Sequence, residues 1–125
     1  MNEEEFLRWL ETQETKYHPN AYQFVLAALK HSQRHFDRPR HMTGQELLKG
    51  ISELAKREFG PFVLTVLHEW GIRTTRDFGN IVFQLVEAGE IKKTDEDHVE
   101  DFDNVYDFAE EFTEVWLEDR IRSEA

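Results

Sequence analysis

The sequence predicts a mainly α fold of about six helices carrying one small β-hairpin. Two capping boxes, each followed by an apolar stripe at helical spacing, set the helical class. Glycines stand where those stripes stop. After Gly89 the helical period gives way to a stretch flanked by lysines and rich in acids, which reads as two short strands around a tip. With 125 residues, 39% of them hydrophobic and ten of them Phe, the chain can close one core and is short for two. The expected organisation is a single domain over 1–125. It comprises an N-terminal helix and connector (1–19), a helical core (20–93), an acidic hairpin tip (94–106) and a C-terminal helix and tail (107–125).

Asn2 with Glu5 can cap a short first helix whose apolar side is Phe6, Leu7, Trp9 and Leu10. Thr12 to Asn20 has no period and reads as a connector stopped by Pro19. Asn20 with Gln23 marks a second start, and the helix it opens runs to about Phe36. Tyr22, Val25, Leu26, Leu29 and Gln33 share one face, and Phe24 and Ala28 make a second strip. Asp37-Arg38-Pro39-Arg40 ends it, because Pro39 forces Arg38 out of helical angles. Thr43-Gly44-Gln45-Glu46 is a capping box ahead of Leu47, Leu48, Ile51, Leu54 and Ala55. Gly60 suits a left-handed cap and Pro61 the first turn of the next helix, which carries Val63, Val66, Leu67 and Trp70 as far as Gly71. Thr74 with Asp77 caps a further helix striped by Phe78, Ile81, Val82, Leu85 and Val86 and closed by Gly89. Glu90–Thr94 and Phe102–Phe108 read as the strands of the hairpin, and a last helix starts from Asp107 with Phe108, Phe112, Val115 and Trp116 on one side.

Charge divides unevenly along this order. Residues 16–40 hold five bases against one acid, whereas residues 87–125 hold fifteen acids against four bases, which alone accounts for the net −11. Four of the six histidines, His18, His31, His35 and His41, lie in or beside the basic segment. This division suggests an acidic face for a basic partner and a basic patch for an anionic one.

Medium helices joined by tight turns and followed by a hairpin form the order of a winged helix-turn-helix, with Thr74–Glu87 in the place of a recognition helix. The exposed side of that helix would be Arg76, Asn80, Gln84 and Glu87, preceded by Arg73, a modest set for reading bases. The wing carries Lys92 and Lys93, but its tip is Asp95, Glu96 and Asp97, followed by Glu100, Asp101 and Asp103. Those carboxylates would be repelled by phosphates, so the winged-helix order favours protein contact over DNA. A second nucleic-acid route is the row Lys30, Arg34, Arg38, with Arg40 beyond.

Chemistry is poorly provided for. There is no cysteine, no glycine-rich phosphate cradle and no serine elbow; Ser32 and Ser52 are both mid-helix. His31 and His35 have the i, i+4 spacing of metal ligands, with Asp37 and His41 to add, but their neighbours are cationic. His68 on its helix reads as a boundary residue. Laid on Asp95 to Tyr106, a calcium loop fails at Val99, Glu100 and Tyr106. The expectation is a non-enzymatic chain without cofactor or resident metal. No apolar run approaches about 18 residues, and the acidic opening is the reverse of a signal peptide, so a cytoplasmic protein with no membrane contact is expected.

His41–Gly50 (HMTGQELLKG), Phe59–Phe62 (FGPF), Val66–Ile72 (VLHEWGI), Asp77–Phe83 (DFGNIVF), Val105–Phe108 (VYDF) and Tyr17–Tyr22 (YHPNAY) together resemble a small uncharacterised bacterial family of single acidic domains. The resemblance spans roughly residues 17 to 112. It implies a bacterial origin and one domain, and brings no activity, ligand or catalytic residue with it. The functional expectation therefore rests on charge. It is an interaction or adaptor module docking a protein partner through Asp95, Glu96, Asp97, Glu100, Asp101 and Asp103. The alternative is a nucleic-acid- or ribosome-associated protein using Lys30, Arg34, Arg38 and Arg40, with Arg76, Lys92 and Lys93. Phe24, Phe36 and Phe83 read as apolar surface left over, which leaves room for self-association.

Overall fold

The computed structural model describes residues 3–12, 16–34 and 42–114. Over these residues the chain forms helices α1 (Glu3–Thr12), α2 (Pro19–Gln33), α3 (Gly44–Phe59), α4 (Val63–Glu69) and α5 (Thr75–Glu87). A 3₁₀ turn, Gly60–Phe62, leads into α4, and a second spans Val99–Phe102. A wide π-type turn, Glu110–Glu114, ends the described chain. The mainly α expectation fits. The hairpin does not: no strand occurs among the described residues.

Where the capping logic was complete, the elements start as expected. The Thr43 hydroxyl accepts the Glu46 N–H at 3.1 Å and the Glu46 carboxylate accepts the Thr43 N–H at 3.0 Å, fixing the first turn of α3. Asp77 accepts the Thr74 N–H at 3.1 Å at the start of α5. Gly60, Gly71 and Gly89 all take positive φ at helix ends. At Gly71 this is doubly required, since a Cβ there would sit 2.8 Å from the Lys16 carbonyl oxygen. The start of α2 differs from expectation. Pro19 is its first residue, where the missing N–H costs nothing, and the cap is the His18 Nδ1, which accepts the Asn20 N–H at 3.0 Å.

α2 and α3 form the central pair, their directions opposed: Phe24 meets Phe59 at one end and Ser32 meets Gly50 toward the other. The buried side of α2 is Ala21, Tyr22, Phe24, Val25, Ala28 and Ser32, while Leu26 and Leu29 are half-buried and Gln33 is exposed. α3 buries Leu47, Leu48, Ile51, Leu54 and Ala55, the stripe read from sequence. α5 completes the core with Phe78, Ile81, Val82 and Leu85. Residues 16–18 run along the turn after α4, where the His18 N–H donates to the Trp70 carbonyl at 3.1 Å.

The expected acidic hairpin tip at 94–106 is instead a sequence of capped turns. Asp97 accepts the Thr94 N–H at 2.8 Å, and Asp101 accepts the His98 N–H at 3.0 Å. Short aspartates that bond their own backbone favour turns over a ladder, and Asp is poor in strands. Tertiary packing then fixes the segment. Phe102 is buried in a cradle between Gly44 and Gly79, where added Cβ atoms would approach its ring to 3.0 Å and 2.7 Å. The Thr75 hydroxyl donates to the Phe102 carbonyl at 2.6 Å, and burying one such ring stabilises by roughly 1.5–3 kcal/mol. A strand alternating sides could not deliver Phe102 to both helices and keep its carbonyl on Thr75. After it, Asn104 takes a positive φ of 50°, and Phe108, Phe112 and Tyr106 close an aromatic cluster over α3, the Tyr106 hydroxyl donating to the Leu48 carbonyl at 2.9 Å.

Without a wing, the winged helix-turn-helix order also fails at α5. Three of the five residues proposed to read bases bond within the chain. Asn80 donates to the Tyr17 hydroxyl at 3.0 Å, Gln84 accepts from the Tyr22 hydroxyl at 2.6 Å, and Arg76 bonds Asp103 at 2.9 Å. No helix among the described residues is long and apolar enough to cross a membrane.

Candidate partner-binding surface

The cationic candidates separate into three places. Lys30 and Arg34 stand one turn apart at the end of α2, on a shallow groove with His31, Ala27, Leu54, Arg57, Glu58 and Phe59. Its charge is partly met at once: Arg57 pairs with Glu58 at 3.6 Å and the His31 Nε2 lies 3.8 Å from Glu53. Arg38 and Arg40 lie outside the described residues, as do His35, His41 and Phe36. The Lys30–Arg34–Arg38 row and the His31–His35 pair therefore rest on one described end only. Among the described residues no group of three His, Asp or Glu could hold a metal ion. Arg76 is tied to Asp103, which holds its guanidinium above its ordinary pKa. Lys92 and Lys93 stand on a different groove from Lys30 and Arg34. The five described residues among the seven proposed to hold nucleic acid thus do not share one groove.

The six acids remain together on one short segment, and they divide by role. Asp97 and Asp101 cap its turns, and Asp103 joins it to α5 through Arg76. Gln45 adds a tie from α3, donating to the Asp101 carbonyl at 3.2 Å. Asp95, Glu96 and Glu100 are exposed. Half of the acidic set builds the segment and the other half is exposed; the ties to α3 and α5 fall at 101–103, beside Glu100.

Sequence reasoning missed what lies beside this segment. Between the end of α2, the start of α3 and the outer side of α5 opens an apolar groove, floored by Met42, Leu47, Val82 and Phe102 and walled by Leu29, Phe83, Val86 and Ile91. Asp97, Lys92 and Lys93 also line it. The signal was present in α5. Val82, Phe83 and Val86 widen its apolar arc beyond the Phe78–Ile81–Leu85 side that the core consumes. Of the aromatics read as surplus surface, Phe83 is half-buried on this groove, whereas Phe24 is buried against Phe59 and Trp70. Among the described residues the most exposed large apolar side chain is Phe62, at the corner between α3 and α4.

Two polar clusters, one buried and one half-buried, shape the frame. Asp77 is buried and accepts from the Tyr17 hydroxyl and from the Arg73 N–H at 2.8 Å, with Lys16 3.4 Å away. Burial alone would push its carboxyl up, but those hydrogen bonds outweigh it and hold Asp77 below the ordinary carboxylate value. Tyr17 is raised by its own burial and by the Asp77 charge. Glu111, also opposed by burial, is held below its ordinary value by Ser52 and by Lys56 at 3.0 Å. Each group is matched to its partner, and none lies on the apolar groove.

No family model, no curated protein and no solved structure matches this chain.

Proposed function

We propose that the chain is a non-enzymatic protein-interaction module that docks a basic partner surface through its acidic segment. The observation carrying this reading is the acidic segment: Glu100 exposed on the turn that Phe102, Thr75 and Gln45 pin, with Asp95 and Glu96 exposed on the neighbouring turn that Asp97 caps. A flexible acidic tail repels and solvates; acids on a fixed backbone present charge in a defined pattern, which selects partners and speeds encounter. The test is fluorescence anisotropy with a labelled lysine-rich peptide, comparing the native chain with the triple variant Asp95→Lys, Glu96→Lys, Glu100→Lys. The expected outcome is affinity that falls steadily between about 0.05 and 0.3 M salt and drops at least about tenfold in the variant. Affinity indifferent to salt and to the variant overturns it.

One observation favours a second reading. Lys30 and Arg34 face a groove that Arg57 joins from α3, a cationic edge that suits a nucleic-acid backbone without base reading. Gel retardation of mixed RNA and DNA at low salt tests it; retention lost in the Lys30→Glu, Arg34→Glu variant is expected on this reading, and no retention by micromolar native protein ends it.

A further inference from the structure

Beside the acidic segment, the apolar groove between α2, α3 and α5 calls for an occupant of its own. We propose that it receives a single aliphatic anchor from a basic amphipathic helix of the partner, whose lysines and arginines lie against Asp95, Glu96 and Glu100. This rests on the proposed docking role of the acidic segment and names the kind of partner that role serves.

Size decides the class of occupant. The groove encloses about 90 Å³, well under the roughly 300 Å³ at which small-molecule pockets begin. It is also smaller than the cavity of about 150 Å³ that admits a benzene ring. One branched aliphatic side chain fits; a cofactor or an aromatic anchor does not. Composition agrees. The lining is Met42, Leu47, Val82, Val86, Ile91 and Phe102, with Met42 an adaptable floor that suits an incoming side chain.

Charge decides what surrounds that anchor. Asp97 lines the groove, and the exposed Asp95 and Glu96 adjoin it in the chain. Cationic residues of the occupant therefore belong on that side. Lys92 and Lys93, which also line the groove, would oppose a uniformly basic strand, but they suit the negative C-terminal end of a helix. The helix then lies anchor down, with its cations toward the acidic segment and its C-terminal end toward the lysines. A helix also places a second residue one turn away on the same side, where half-buried Phe83 offers apolar contact along the wall.

The test uses two synthetic peptides and the whole chain. One is an amphipathic Leu/Lys helix ending in a free carboxylate. The other has the same charge but Ser at each Leu position. The expected result is that the Leu peptide binds about tenfold or more tightly, the worth of one buried aliphatic side chain. Val86→Asp, checked for native helicity by circular dichroism, should erase that advantage, and the peptide comparison stands on its own should that variant not fold. Leu and Ser peptides that bind alike, both weakened by Asp95→Lys, Glu96→Lys, overturn the groove assignment while the acidic docking survives. Binding of either peptide that ignores the charge reversal overturns the docking role itself. A chain that sediments as a dimer and admits the Leu peptide only on dissociating would show a second copy as the native occupant, and would also overturn the assignment.

Discussion

At Gly50 the α2–α3 contact admits nothing larger than hydrogen. A Cβ there would lie 1.6 Å from the Ser32 Oγ and 2.9 Å from the Ser32 Cβ. The Ser32 hydroxyl itself is buried without a hydrogen-bond partner among the described residues, so the closeness of the helices is kept at the expense of one unmet polar group. Gly50→Ala should destabilise by about 1–3 kcal/mol through overpacking. Ser32→Ala removes only an unsatisfied hydroxyl and should be neutral or slightly stabilising. Urea unfolding of the two variants checks both signs, and a stable Gly50→Ala would refute the packing. Asp77 offers a second test at this scale. Its folded pKa lies below the ordinary 3.8, as Glu111's lies below the ordinary 4.5. Stability from a depressed carboxylate is complete above its unfolded value and is lost as pH falls through the folded one. The native chain should therefore lose stability progressively on acidification below about pH 4.5. Asp77→Asn, costing about 1–3 kcal/mol at neutral pH through weakened bonds to Tyr17 and Arg73, should show a shallower acid limb in thermal melts.

At the scale of elements, the most exposed dependency is that of the acidic segment on Phe102. Gly79→Ala would set a Cβ 2.7 Å from Phe102 Cβ and Cγ, within α5 where no positive φ is needed. Alanine is the better helix former by about 1 kcal/mol, so any loss must come from expelling the ring. We expect a net destabilisation of about 1–3 kcal/mol, with faster amide exchange from 94 to 105; slower or unchanged exchange would refute the cradle. This contact also explains how far the sequence could be read. The starts of α3 and α5 were legible because cap and stripe are local: Thr43, Glu46 and Leu47 lie within one turn of each other. The fate of 94–106 was not, because it turns on Phe102 meeting Gly44 and Gly79, residues that are distant in sequence and look like ordinary helix positions. Glu90–Thr94 and Phe102–Phe108 read as strands around an acidic tip, whereas Val99, Phe102 and Val105 are spaced by three, the period of a 3₁₀ turn. The His18 cap was missed for a related reason: a proline read as a stop is equally a first residue. At the candidate site the acids were visible as composition. The groove beside them was not, since it needs three helices brought together to exist.

For the molecule as a whole, the net charge of −11 acts on folding and on binding in opposite directions under salt. Over 87–125 fifteen acids stand against four bases, so the excess cannot be neutralised within that third. Lys56–Glu111 and Arg76–Asp103 are half-exposed pairs, and exposed pairs contribute about 0–1 kcal/mol each. Self-repulsion of a compact anionic body should therefore outweigh the screening of these few pairs. Raising salt from about 0.01 to 0.15 M shortens the screening length from about 30 to 8 Å, which relieves repulsion between distant carboxylates more than it weakens contacts of about 3 Å. The melting temperature should rise by a few degrees over that range, while affinity for a basic peptide falls. The divergence separates two roles that composition alone confounds. Acids kept only for solubility would produce the rise in stability with no loss of binding, because nothing would be bound through them. Acids held in a fixed pattern produce both, and the triple reversal of Asp95, Glu96 and Glu100 should reduce both slopes together, since it removes repulsion and docking charge at once. A melting temperature that falls with salt would mean that attraction between the basic 16–40 segment and the acidic third dominates the fold, leaving the acidic segment engaged within the chain rather than open to a partner.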